Sequence, residues 1–190
     1  RLLHDIPVNR TKLQLVGVSA MLLASKYEEI FPPSVDEYVY ISDNTYTRQD
    51  VLRMESILLR SLKFRLTVPT ACDFLDLFSR VAELSRRELL LAEYIVDATV
   101  QEKIFLDHPP SKLAAAAIVL SRYTLGSAKP MSLGLQHCSG YPLPKLENCI
   151  REMHRVHSKQ FQKSTTLKAI HTKYCKESHL SVAEIRPRPI

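Results

Sequence analysis

Residues 13–25 contain no charge, the run ends at Lys26, and the pattern returns 96 residues later. There residues 113–121 are again uncharged and end at Arg122, so Ser25-Lys26-Tyr27 is echoed by Ser121-Arg122-Tyr123. At helical spacing both runs are apolar on nearly every side, through Leu15, Val16, Val18, Met21, Leu22 and Leu23 in the first and Leu113 to Leu120 in the second. A helix with no polar face is a central one, wrapped by others. Small residues, Gly17, Ser19, Ala20 and Ala24 in one and Ala114 to Ala117 in the other, let neighbours approach closely. Two such helices predict a duplicated all-helical unit, with its joint near residues 66–70, where Val68-Pro69-Thr70 breaks the chain. Glycine is scarce, at 4 of 190 residues, and no Asn-Gly or Asp-Gly turn joins alternating stretches, which argues against hairpins.

Local signals place the remaining helices. Phe31-Pro32-Pro33 stops the first apolar helix, expected over 13–29, and a short helix follows over 35–41. Thr47 is placed to cap the next, with Asp50 as its capping-box partner, and that helix runs to about residue 62. Further helices are expected over 70–83, 85–104, 111–125, 130–138 and 142–162. The domains read as 1–67, 68–165 and a polar, basic tail over 166–190, with Pro187 and Pro189 making its end extended.

Glu55 falls in the middle of the apolar arc of its helix, among Val51, Leu52, Leu58, Leu59 and Leu62 at about 100° per residue. Acids are almost never fully buried unless paired, because desolvating the charge costs several kcal/mol. A cation must therefore be aimed at it, and Lys26 is the best candidate. From the residues alone the couple is either a staple between two helices or part of a surface built to receive a partner.

Composition excludes several classes. At 45% hydrophobic residues the chain can bury a core. The longest uncharged stretch is too short to span a bilayer, and no signal peptide is visible. The net charge of +6 lies entirely in residues 145–190, which carry 10 Lys/Arg against 4 Asp/Glu, whereas residues 1–144 balance at 16 against 16. Such a basic end suits either a solvated helix or an acidic partner, and nucleic acid is the less favoured ligand. Cys72, Cys138, Cys149 and Cys175 have no paired spacing, so they read as small core residues in a reducing compartment. His154 and His157 lie three apart on a helix with no third ligand nearby and read as a surface pair, so no metal is expected. Glu28 and Glu29 read as a solvated helix end. No nucleophile elbow or phosphate-cradling glycine loop is present, so neither an enzyme nor a cofactor is expected.

The chain strongly resembles the cyclin box of mitotic, A/B-type cyclins. The likeness rests on Leu13-Gln-Leu-Val-Gly17, Met21-Leu-Leu-Ala-Ser-Lys-Tyr-Glu-Glu-Ile30, Pro32-Pro33, Tyr40-Ile-Ser-Asp-Asn-Thr-Tyr-Thr47, Val51-Leu-Arg-Met-Glu-Ser56 and Leu62-Lys-Phe-Arg-Leu66. It is close over residues 10–75 and looser through the second repeat, at Pro109-Pro110-Ser111 and Lys173-Tyr174-Cys175. The resemblance implies two five-helix repeats and a regulatory subunit that binds the αC helix of a Ser/Thr cyclin-dependent kinase as a heterodimer. It implies cell-cycle control at G2/M or S/G2, in nucleus and cytoplasm. By the same resemblance Lys26 and Glu55 hold the αC segment, while Leu23, Tyr27, Leu59 and Leu66 form a pocket for an apolar anchor. Phe64 lies in the matching stretch and is expected to serve the core as well.

The chain opens at Arg1 in what reads as the end of a helix, so a segment N-terminal to it is expected, carrying the family's first helix and destruction signal. Leu13 and Gln14 match the remaining edge of the family's docking groove for kinase substrates and inhibitors. Without the first helix, apolar surface is left open, and this chain expressed alone is expected to melt broadly. A sharp melt near that of an intact cyclin box would contradict this. The rival reading is a transcription factor of the same fold that binds DNA or polymerase through its basic end.

Overall fold

Ser34, Thr47, Thr70 and Ser85 each stand just ahead of a helix with an acid three residues on. Each forms a reciprocal capping box, with Glu37, Asp50, Asp73 and Glu88 respectively. The hydroxyl takes an orphan N–H of the first turn, and the acid takes the N–H of the cap. Thr47 holds the Asp50 carboxyl below its ordinary range through side-chain and backbone hydrogen bonds.

The computed structural model describes residues 2–162 and 167–190, and among these no strand occurs. The chain divides into two bodies, Arg1–Val68 and Pro69–Ile190. The first holds α1 (Leu2–Asp5), α2 (Leu13–Glu28), α3 (Val35–Ile41) and α4 (Arg48–Ser61). The second holds α5 (Ala71–Val81), α6 (Arg86–Thr99), α7 (Pro110–Thr124), α8 (Leu133–Ser139), α9 (Leu143–Phe161) and α10 (Ala169–Tyr174). The duplication is plain in the lengths. A helix of 16 residues, one of 7 and one of 14 in the first body answer helices of 15, 7 and 19 in the second.

In the second body the apolar run behaves as expected. Ala114 to Ser121 are all buried, and α5, α6 and α9 close on α7. In the first body α2 packs chiefly on α4 and α3, through Leu15, Val18, Leu22, Tyr38 and Val51, with a second cluster of Leu2, Val16 and Leu58. Polar groups in this layer are satisfied. Ser19 Oγ donates to the Val51 carbonyl at 3.2 Å, and Tyr38 donates to Ser25 Oγ at 2.8 Å. Contrary to the sequence reading, α2 is not wrapped on every side within this body. Gly17, Ala20, Met21 and Ala24 stay exposed, because α3 and α4 cover only the opposite face.

Other differences have local causes. Helix α6 ends at Thr99 rather than near residue 104, and the chain continues as a tighter turn, Lys103–Asp107, that buries Phe105. The β-branched pair Thr99-Val100 weakens the helical continuation. Helix α8 starts at Leu133, because Ser132 Oγ accepts from the Leu135 N–H at 3.1 Å. Cys149 is buried, which pushes its thiol up to about 12, but Cys72 and Cys138 are exposed on the outer faces of α5 and α8 rather than in the core.

The segment read as a polar tail belongs to the second body. Tyr174, Val182 and Ala183 are buried in its core. Lys173 Nζ and Tyr174 OH both donate to Asp97 Oδ2, at 2.8 and 2.9 Å. Its apolar residues are few and separated by charges, which hides the helical period. The junction expected at residues 165–166 lies outside the described residues.

Candidate functional site

Lys26 lies in the last turn of α2, where the helix dipole favours a cation. Glu55 faces it from the middle of α4, and Lys26 Nζ donates to Glu55 Oε1 at 2.7 Å. The carboxylate side chain is 12% exposed and the lysine 41%, so the pair bridges apolar layer and solvent. Val51 and Leu58, one turn either side of Glu55, are buried, while Leu52, Leu59 and Leu62 are half-buried. The pair uses one of the three ammonium N–H groups and one carboxylate oxygen among the described residues, leaving donors and an acceptor for another chain.

The other candidate residues lie on α2, on α4 and on the segment that follows α4. Leu23, half-buried, packs against Leu2, Val16 and Leu58. Tyr27 is half-exposed, and its hydroxyl bonds Thr67 Oγ1, which ties the end of α2 to the segment leaving the body. That segment begins with a left-handed turn at Lys63 and Phe64, φ 51° and 56°, and the Phe64 N–H donates to the Leu59 carbonyl at 2.9 Å. A left-handed non-glycine residue is strained, and such strain clusters at functional positions. Leu59 and Leu66 are half-buried. Phe64 does not serve the core. It is 69% exposed, because the left-handed turn carries it off the helix face. Glu28 and Glu29 are exposed at the end of α2.

Leu13 and Gln14 lie apart from the Lys26–Glu55 pair. They stand exposed at the opposite end of α2, on the order of 20 Å away along its axis, where Gln14 Oε1 accepts from Tyr46 OH at 3.4 Å. Thr67 was missed from the sequence. It lies 40 residues from Tyr27, and no periodicity links the two.

No group of three His, Cys, Asp or Glu that could hold a metal occurs among the described residues. His154 and His157 are not a surface pair. His154 is half-exposed, whereas His157 is 1% exposed and meets Tyr94 edge-on at 5.7 Å. Burial lowers the His157 pKa from 6.5 to about 4, so the folded ring is neutral at pH 7. The unfolded ring takes its proton near 6.5, so stability is lost progressively as pH falls from about 6.5 to 4, by on the order of 3 kcal/mol. His157→Phe is expected to flatten that acid limb in urea melts between pH 7 and 4.5. An unchanged slope would refute the assignment. Among the described residues no helix is long and apolar enough to cross a membrane.

Comparison with known proteins places both bodies in one group. The family model described as the cyclin N-terminal domain matches residues 1–67, and that of the cyclin C-terminal domain matches residues 69–188. The chain is 42% identical over 194 residues to cyclin-A1 of Carassius auratus, covering 100% of this chain and 49% of that protein. It is 42% identical over 189 residues to cyclin-A1 of Homo sapiens, covering 98% and 40%. G2/mitotic-specific cyclin-B2 of Bos taurus is 38% identical over 185 residues, covering 97% and 46%. The chain thus spans less than half the length of these relatives.

Proposed function

The chain belongs to the cyclin family, and on that premise we propose that it is a regulatory subunit that binds and activates a Ser/Thr cyclin-dependent kinase. The observation that supports this most is the Lys26–Glu55 pair, half out of water at the edge of an apolar strip and with hydrogen-bonding capacity to spare. Leu23, Leu59 and Leu66 are half-buried, Tyr27 is half-exposed, and Phe64 projects an exposed ring. Interface hot spots combine such apolar surface with a few fixed polar groups that set register.

The partner element is the kinase αC helix. Held inward, it keeps the kinase's own Lys–Glu pair in place for phosphoryl transfer. Activation requires tighter binding to the active kinase than to the inactive one. The cyclin supplies position, and the catalytic groups are the kinase's. Timing in G2/M or S/G2 belongs to the same proposal, in keeping with the G2/mitotic-specific cyclin-B2 among the relatives, and so does residence in nucleus and cytoplasm.

The test is a pull-down and histone-kinase assay with the Lys26→Ala/Glu55→Ala double variant. It is expected to stay folded, while kinase association and activity are lost. Undiminished association would remove the site.

A further inference from the structure

The second body carries a counterpart of the candidate site with different chemistry. Ninety-six residues beyond Leu23 and Tyr27 stand Val119 and Tyr123. Helix α4 follows Thr47 and α9 follows Pro142, so 95 residues beyond Glu55 and Leu59 stand Ile150 and His154. The register is sound, because Val51 and Leu58 map onto Leu146 and Met153, which are likewise buried. Val119, Tyr123 and Ile150 line a cavity of about 470 Å³ with Met131, Leu143 and Ile190. The ion pair is not repeated. Ile150 replaces Glu55, and Arg122, the counterpart of Lys26, faces Glu88 of α6 at 3.5 Å. The position that carries the carboxylate in the first body is apolar in the second, with Lys129, Glu147 and Arg151 also lining the cavity.

A short stretch of this same chain is seated on the groove. Tyr123 OH donates to the Pro189 carbonyl at 2.5 Å, and His154 Nε2 donates to the Arg188 carbonyl at 2.9 Å. The Arg188 guanidinium lies over the Tyr123 ring, 5.2 Å from its centroid. Pro187 and Pro189 fix φ and favour an extended segment with its carbonyls free to accept. Ile190 lines the same cavity and is 61% exposed, so the groove is left largely unfilled. The tyrosine tie has its parallel in the first body, where Tyr27 holds Thr67 of the departing segment.

We propose that the groove between α7 and α9 is a peptide-docking site, occupied in cis by residues 186–190, that takes an extended partner segment carrying a cation, a proline and an aliphatic residue in that order. The seated stretch, Arg188-Pro189-Ile190, is the template. The cation stacks on Tyr123, two successive carbonyls accept from His154 and Tyr123, and the aliphatic side chain meets Val119, Met131, Leu143 and Ile150. The site owes nothing to Lys26 or Glu55, so it stands or falls apart from kinase binding.

A fluorescent peptide with the sequence of residues 185–190 tests this by anisotropy against the full chain and against its Arg188→Ala/Ile190→Ser variant. A cis segment seated nine-tenths of the time weakens apparent affinity about tenfold, so the variant is expected to bind about tenfold more tightly than the full chain. Adding either Tyr123→Phe or His154→Ala, each with unchanged circular dichroism, is expected to abolish the gain. Equal binding to both chains, or binding indifferent to both Tyr123→Phe and His154→Ala, would overturn the proposal.

Discussion

Lys26→Ala is expected to weaken kinase association by at least about 30-fold, the 2 kcal/mol that marks an interface hot spot. Fold stability should move much less. The pair is part-exposed, and such pairs contribute about 1 kcal/mol or less. The lysine also lies in the last turn of α2, where its charge adds a few tenths of a kcal/mol against the helix dipole. Binding magnifies the loss, because a docked helix excludes the water that now solvates the pair. The Glu55 carboxylate, already 12% exposed, would then be desolvated with no cation beside it. Glu55→Ala is expected to be milder, since an exposed lysine can swing to solvent. Calorimetric titration of purified kinase with each variant reads both effects. Equal affinities for Lys26→Ala and the unaltered chain would contradict the assignment.

The second large effect concerns packing. Ala116→Leu is expected to destabilise the second body by about 1–3 kcal/mol, because extra methylenes in a closed core force off-rotamer side chains and backbone shifts. Ala116 is fully buried where α5, α6 and α9 close on α7. Its counterpart 96 residues earlier, Ala20, is exposed on the uncovered face of α2. Ala20→Leu in this chain is therefore expected to change stability by less than about 0.5 kcal/mol. Urea unfolding followed by circular dichroism distinguishes the two substitutions. A comparable loss from both would mean that α2 is as enclosed as α7.

Those two alanines also mark where sequence reasoning succeeds and where it stops. The apolar runs, the cap at Thr47, the break at Val68-Pro69-Thr70 and the stop at Pro32-Pro33 are local, and local signals suffice for helix existence and for most starts. Glu55 was legible for a different reason. A carboxylate in an apolar arc demands a partner, and Lys26 ended the adjacent uncharged run, so the contact followed from electrostatics. Enclosure is another matter, because a run that is apolar all round does not say how many neighbours cover it. The same limit hid Phe64, whose outward turn depends on two successive left-handed residues with no glycine to announce them. It hid His157, which reads as polar but packs against Tyr94. The ties from Tyr27 to Thr67 and from Tyr123 to Pro189 join residues 40 and 66 apart, a separation that no periodicity spans.

The charge-swapped chain, Lys26→Glu with Glu55→Lys, tests the central claim most directly. The swap restores attraction between α2 and α4, so a pair that only staples helices loses little by it, beyond the few tenths of a kcal/mol that a cation contributes at the end of α2. If the pair reads a partner's backbone and charge, the swapped chain melts close to the unaltered one but binds the kinase at least about 30-fold more weakly by calorimetry. Full kinase affinity in the swapped chain would contradict the account.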